Sequence, residues 1–580
     1  MMRYYVLLFV LATLLPSSEV LTAADDPTDA IPDSATLVVR LRRPLAVLRK
    51  AQRVATKVER QWAQQLRQLG QTRGVLISNP TLEGVDDRGA WWVAAFTSPD
   101  AEPSVVFAIL ADDADKMESS LGEGFVFVRH RKWVLYTEDK KAAEKIRSCI
   151  SGATESIRQA IDGEPSELIR RNDLAAYVNV RRLSEAYKAE IQIVTEEIDA
   201  ALANLSAVAP EVPGMDLDPI FRMYGQAVRG LLRAFQDSES FSAGINVTPQ
   251  GITIEKYWKV AANSPTDGVL STNIPSELRS LVSFPEDNLA YFGAHGNFAA
   301  LIRWGLTLTK AMVRDDDVTK HTIDELLRGY ADLKFGDHLF SFDLTESEEG
   351  ALQTVTVLDV SPIEKMRDLM HKGFESAALF QFGGIKQEVE FKSAAEQHGS
   401  HAADVVVIKL PLDETNDPTG LQKRMTTVMY GPDGMTQRYV YLPDRMVQTV
   451  GGGKAAMTEA LRALKIKRAG RSRSRNREGI QPTRRQLAKK ANILALVDIP
   501  RMVVAALSLA TQSGPFPFPI NSENLSDLKL DASYLGFSLT TEPHSLRARG
   551  FVPIEQIAGL RKLADLFSAT QPAVPPVGHR

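Results

Sequence analysis

Short apolar runs that alternate or nearly alternate, each followed by apolar residues at helical spacing, recur along the whole chain. A period of two marks a half-buried strand, and recurrence every three or four residues marks an amphipathic helix. Ala35-Thr36-Leu37-Val38-Val39-Arg40-Leu41 leads into Arg42-Arg43-Pro44-Leu45. Asp173-Leu174-Ala175-Ala176-Tyr177-Val178-Asn179-Val180 leads into Arg181-Arg182-Leu183 in the same way. So do Asn288-Leu289-Ala290-Tyr291-Phe292-Gly293-Ala294-His295 and Asn492-Ile493-Leu494-Ala495-Leu496-Val497-Asp498-Ile499. Proline suits the first turn of a helix, so Pro44 and Pro500 predict helix starts.

A second piece recurs beside the first. Trp92-Val93-Ala94-Ala95-Phe96-Thr97, Gly244-Ile245-Asn246-Val247-Thr248, Phe340-Ser341-Phe342-Asp343-Leu344-Thr345 and Gly536-Phe537-Ser538-Leu539-Thr540 are strands ending in Thr. Turn residues and another strand follow each, at 105–110, 252–260, 352–360 and 546–552. The unit is β-α-β-β-α, at about 35–122, 173–283, 288–373 and 492–568. Two copies carry an extra hairpin and helix, at 124–150 and 436–464. Their Lys-Ala-Ala helix starts, Lys141 and Lys454, lie 313 positions apart, and the preceding strands align at that offset. The pattern predicts an α+β fold: a tandem duplication of a two-module half, 25–285 and 286–580, with helices packed on a mainly antiparallel sheet. Apolar spacing predicts long helices over 183–208, 221–235, 298–312 and 323–333, after the first strands of the second and third modules.

The repeats also weigh the motifs. Gly451-Gly452-Gly453-Lys454 resembles the end of a phosphate-binding loop, but Gln448 and Ala455 stand where that loop needs Gly and Ser/Thr. The duplicate has Glu138-Asp139-Lys140-Lys141 there, so a strand-to-helix turn is the preferred reading. His398 and His401, near Glu396 and Asp404, are the candidate metal ligands. Their spacing is loose and 393–402 is rich in turn residues, so a solvated loop is expected. His295 ends a strand where other copies hold Val180 or Ile499, and it is read as a substitution-tolerant strand end. Asp112-Asp113 and Asp315-Asp316-Asp317 lack the spacing of a calcium loop and are expected to be caps. The chain holds no G-x-S-x-G and no H-E-x-x-H, and neither a catalytic residue nor a cofactor site is assigned. Cys149, the only cysteine, is expected to be a buried apolar thiol.

Composition is that of a globular chain, 44% hydrophobic and 24% charged, with a net charge of −4. One segment departs from it. Residues 465–490 hold eleven Lys and Arg against Glu478 alone, a local charge of +10. With neither aromatics nor apolar periodicity, it is expected to be a mobile linker. Arg471, Arg473, Arg475, Arg477, Arg484 and Arg485 are its candidate anion-binding residues. They point to an acidic envelope polymer or an acidic protein; nucleic acid would call for stacking aromatics.

The N-terminus sets the expected compartment. Arg3 precedes twelve apolar or weakly polar residues, Pro16-Ser17-Ser18 breaks them, and Thr22-Ala23-Ala24 offers small residues before Asp25. This is the pattern of a signal peptide over 1–24, with the mature chain exported to the periplasm, envelope or exterior. Retention as an anchor is the alternative. No later run reaches the roughly 18 apolar residues of a membrane span. The signal peptide, the Pro32-Asp33-Ser34 and Pro285-Glu286-Asp287 entries and the strand-helix repeats resemble large uncharacterised exported proteins of planctomycete-type bacteria. That resemblance implies no activity and transfers no functional residue. The expected function is a non-enzymatic exported binding or structural protein of the bacterial envelope. The alternatives are a carrier or chaperone for an apolar ligand or lipid, and an exported hydrolase.

Overall fold

The computed structural model describes residues 26–208, 218–285, 287–312, 317–377, 381–382, 385–386, 388–409, 417, 419–468, 477–512, 524–525 and 527–570. The signal-peptide segment and Arg471, Arg473 and Arg475 lie outside them. Contacts divide the described chain into two compact units. One takes its residues from 1–207, 223–272 and 541–554, the other from 208–222, 273–540 and 555–580. The strand Ser545–Pro553, which the repeat pattern assigns to the last module, thus counts with the first unit.

In the first unit the strands pair antiparallel throughout. The order runs Val126–His130, Trp133–Thr137, Ala101–Leu110, Trp91–Ser98, Leu37–Leu41, Leu174–Val178, Ser238–Thr248, Gly251–Val260 and Ser545–Pro553. Alternation puts Val38, Trp92, Ala94, Phe96, Val106 and Ala175 on one face, where Ala142, Ala143 and Ile146 of the helix Lys140–Ile150 complete a core. Trp91, Ile109 and Val134 face the other way and bury Met117 of the helix Ala114–Leu121. Helices therefore lie on both faces here. Local chemistry sets the helix starts. Asp113 accepts from the Lys116 N–H and Asp139 from the Lys141 N–H, while Pro44 opens Pro44–Val58. The expected helix over 183–208 breaks at Tyr187 into Val180–Ala186 and Lys188–Val208. Cys149 is buried on Lys140–Ile150, and burial pushes its thiol up to about 11.

The last strand is held by charge as well as by its ladder. Glu255, 2% exposed, takes Arg171 Nε at 2.8 Å and also the guanidinium of Arg549. Arg547 lies over the Tyr257 ring and donates to Glu164 at 2.6 Å and Glu542 at 3.0 Å. Burial alone would raise the Glu255 carboxyl; Arg549 and Arg171 outweigh it and hold the group below the usual carboxylate range.

In the second unit the order is Glu388–His398, His401–Lys409, Met435–Leu442, Arg445–Val450, Leu352–Ser361, Lys334–Leu344, Ala290–Ala294, Ile493–Val497 and Leu535–Glu542, again antiparallel. The hairpin Glu388–His398 and His401–Lys409 replaces the expected loop over 393–402. Its outer strand is mostly exposed, so apolar alternation does not mark it. The basic segment also differs from expectation. Arg477–Arg484 is helical, and Ile480, Thr483 and Leu487 are buried, because apolar residues return at helical spacing once the arginine-serine run has passed. Among the described residues, no helix is long and apolar enough to cross a membrane.

Asp173 is a buried carboxylate in the first unit. It accepts from the Val247 N–H at 3.3 Å, while its Oδ1 has no hydrogen-bond partner. Burial pushes it up to about 7, against an ordinary value near 4. The folded chain therefore holds a proton that the unfolded chain releases, so the contribution of Asp173 to stability is full below about pH 4 and is lost as pH rises towards 7. In urea unfolding, Asp173→Asn is expected to flatten this decline, which at its steepest is about 1.4 kcal/mol per pH unit. An unchanged pH slope would show that Asp173 does not cause it.

Candidate functional site

The C-terminal end of the basic segment reaches a polar cleft of about 390 Å³ in the second unit. Backbone pairing builds the site. Ser276 and Ala491 exchange both hydrogen bonds, at 3.1 and 2.7 Å, and the His295 N–H donates to the Asn492 carbonyl at 2.7 Å. The Asn492 amide donates to the carbonyls of Asn273 and His295, which fixes the end of Ala290–Ala294. The strand Lys334–Leu344 is irregular between Phe335 and His338, and such a bulge re-aims the side chains it carries. Asp337 lies in that irregularity, with Oδ1 2.8 Å from His295 Nδ1.

Glu277 and Arg279 line the same cleft and pair at 2.6 Å. The hydrogen bond from Arg279, with the charges of Lys489 and Lys490, holds the Glu277 carboxyl below its ordinary range. Arg484 is a structural member of the basic segment. Its guanidinium donates to the carbonyls of Ala488 and Lys489 at 2.5 and 2.8 Å and closes the turn ahead of Lys490. Arg485, Lys489 and Lys490 are exposed, and their charged groups make no ion pair among the described residues. The side chain of Arg477 lies outside the described residues, although its backbone starts the helix.

The cleft thus combines one unpaired ammonium, from Lys490, with two carboxylates and an imidazole oriented by one of them. A His–carboxylate pair keeps the second ring nitrogen open to a ligand. The sequence pattern singled out His295 only as a strand end, because its partner Asp337 is distant along the chain. The one available signal was a histidine where the other copies have an aliphatic residue.

Of the two candidate metal ligands, the structure gives other partners to the side chain of His398. His398 and His401 are register partners at a hairpin tip. His398 is buried, its ring nitrogens 3.0 Å from Thr458 Oγ1 and 3.2 Å from Glu396. Glu396 also accepts from Arg438 at 2.8 Å, and this guanidinium more than offsets the rise that burial alone would give its carboxyl. Asp404 is taken by the Ala394 N–H at 2.7 Å, Ser393 Oγ at 3.1 Å and His371 Nε2 at 2.6 Å. Among the described residues, no group of three or more His, Cys, Asp or Glu is arranged to hold a metal ion.

The glycine run is a strand-to-helix turn. Gly451, Gly452 and Gly453 all have left-handed φ, and the Gly453 N–H donates to Glu349 at 3.1 Å. Arg438 fixes the same carboxylate with bonds of 2.7 and 2.5 Å. The anion at this helix start is a side chain of the protein.

A scan against protein-family models and searches of curated proteins and of solved structures gave no match to the chain.

Arg438 is 3% exposed and neutralises two carboxylates. Arg438→Met is expected to cost about 3 kcal/mol in urea unfolding, because it takes the shared guanidinium from the part-buried carboxylates of Glu349 and Glu396. A loss under about 0.5 kcal/mol would show that the cluster is not needed for stability.

Proposed function

We propose that this chain is an exported, non-enzymatic binding protein of the bacterial cell envelope that takes an acidic ligand, either an envelope polymer or an acidic protein. The observation that carries the reading is exposed Lys490 in the lining of the His295 cleft, with Lys489 close enough to act on Glu277 there and exposed Arg485 in the same segment. The chain is otherwise acidic, so this concentration of positive charge gives an anion one preferred place to approach. Arg471, Arg473, Arg475 and Arg477 would extend the same charge.

Within this reading the scaffold arose by tandem duplication. In the first unit Trp133–Thr137, Ala101–Leu110, Trp91–Ser98, Leu37–Leu41, Leu174–Val178 and Ser238–Thr248 follow one another across the sheet. In the second, Arg445–Val450, Leu352–Ser361, Lys334–Leu344, Ala290–Ala294, Ile493–Val497 and Leu535–Glu542 do so in the corresponding order. The positions that recur in sequence are apolar, which suits a duplicated scaffold more than a duplicated catalytic set.

A carrier for an apolar ligand or lipid is the second reading. Phe340, Phe292, Ala495 and Phe537 form one cross-strand row in the second unit, and Phe292 and Phe537 are each 37% exposed. An open apolar row of this kind suits an apolar ligand.

Two measurements test these readings. At low salt, poly-L-glutamate is expected to raise the melting temperature, and the triple variant Arg485→Gln, Lys489→Gln, Lys490→Gln to remove most of that rise. Stabilisation by oleate, with none by the polyanion, would overturn the acidic-ligand reading in favour of the carrier. For export, mass spectrometry of protein recovered from the envelope fraction of a bacterial host is expected to give a chain starting at Asp25. A cytoplasmic chain that retains Met1 would overturn that part.

A further inference from the structure

The chemistry of the cleft is narrower than attraction between opposite charges. Its groups fall into those already committed and those left open. Arg279 is bound to Glu277, and His295 is bound through Nδ1 to Asp337. Lys490 Nζ makes no hydrogen bond or ion pair among the described residues and acts on Glu277 by its charge alone. Within the lining it is therefore the cation left for an incoming anion, with Lys489 and Arg485 outside it, and the lining itself matches one negative group. A run of negative charges would meet the carboxylates of Glu277 and Asp337, 29% and 15% exposed, in the same cleft.

Those carboxylates are costly for a plain polyanion and useful for a ligand that carries hydroxyls. Arg279 takes Glu277 Oε2 and leaves Oε1 open to accept, while His295 takes Asp337 Oδ1 and leaves Oδ2. In the tautomer that directs Nδ1–H at Asp337, the His295 ring presents Nε2 as a third acceptor. One cation and three open acceptors suit a single anionic group flanked by hydroxyl donors. Pro275 adds an apolar surface to the lining, on which a C–H face can rest. A volume of about 390 Å³ is at the small end of ligand sites, enough for a short stretch of a polymer.

We propose that this cleft is a subsite for an acidic sugar, with the sugar carboxylate on Lys490 and its hydroxyls on Glu277 and His295. The proposal rests on the acidic-ligand reading above and narrows it to saccharides whose charge is a carboxylate. Asp337 is a positioning residue, acting through the tautomer and orientation of His295.

The test is calorimetric titration of the full chain with a tri-galacturonate. A neutral glucan trisaccharide, tripolyphosphate and poly-L-glutamate serve as comparison ligands. Binding of the tri-galacturonate alone, or at least about tenfold more tightly than the others, is expected. Lys490→Gln removes only an exposed charge, so the fold is retained, and it is expected to weaken this binding about tenfold or more. Glu277→Gln and His295→Gln are each expected to weaken it by a similar factor, with the melting temperature monitored in parallel. For poly-L-glutamate, Glu277→Gln should leave binding unchanged or improve it, because it removes a repelling charge; this opposite response separates hydroxyl recognition from loss of structure. Equal binding of poly-L-glutamate and tri-galacturonate, with Glu277→Gln neutral or favourable for both, would overturn the sugar proposal while the acidic-ligand reading stands. Binding of the neutral glucan as tight as that of the acid would overturn the role of Lys490. Failure of every anion to bind would overturn both readings.

Discussion

The first unit depends on a carboxylate that is almost out of solvent. Glu255 lies in the interior of Gly251–Val260 with Arg171 on one side and Arg549 on the other. Isolated, such a charge would be strongly destabilising; with two guanidiniums it becomes a junction. One arm comes from a helix end, Glu164–Arg171, and the other from Ser545–Pro553, 294 positions away in the chain. The nine-residue ladder between Gly251–Val260 and Ser545–Pro553 brings Arg547 and Arg549 to their carboxylates. The ladder supplies register, and the charges oppose any slip, since moving the strand by one residue would turn both arginines to the other face.

Elements marked by their own periodicity were legible in the chain before any coordinates. The four first strands all appear where alternation puts them, as do the helices Pro44–Val58, Lys140–Ile150 and Phe298–Met312. Elements that owe their form to a neighbour were not. Glu388–His398 has an exposed, polar pattern and is a strand because Val405, Val406 and Val407 pair with it. The helix Arg477–Arg484 was hidden by composition: eleven basic residues in the surrounding segment outweighed the few apolar positions that anchor it. The helix break at Tyr187 likewise leaves the apolar stripe almost undisturbed.

The candidate site was legible in a different proportion. Its charge was plain, because a local +10 stands out of an acidic chain. Its geometry was not. Arg484 and Lys490 read alike along the sequence, yet one side chain closes a turn on two carbonyls and the other faces solvent in a cleft. His295 and Asp337 sit on neighbouring strands, one step beyond the His338–Ala294 register pair, and that pairing across the sheet brings them into contact. Side chains assembled across a sheet leave no spacing rule to find, whereas a charge cluster within one segment does.

The glycine run shows what a partial motif can become. Its backbone is set for an anion, and the turn before Leu352–Ser361 supplies one. Gly350 bonds back to Ser347, which holds Glu349 near the loop before any solute arrives. A tethered group acts at an effective concentration of about millimolar or above, so a free phosphate would have to compete with a ligand that never leaves. The loop is therefore an intramolecular receptor. Its affinity is expressed as stiffness at the joint between Arg445–Val450 and Gly453–Arg468, and not as uptake of anything from solution.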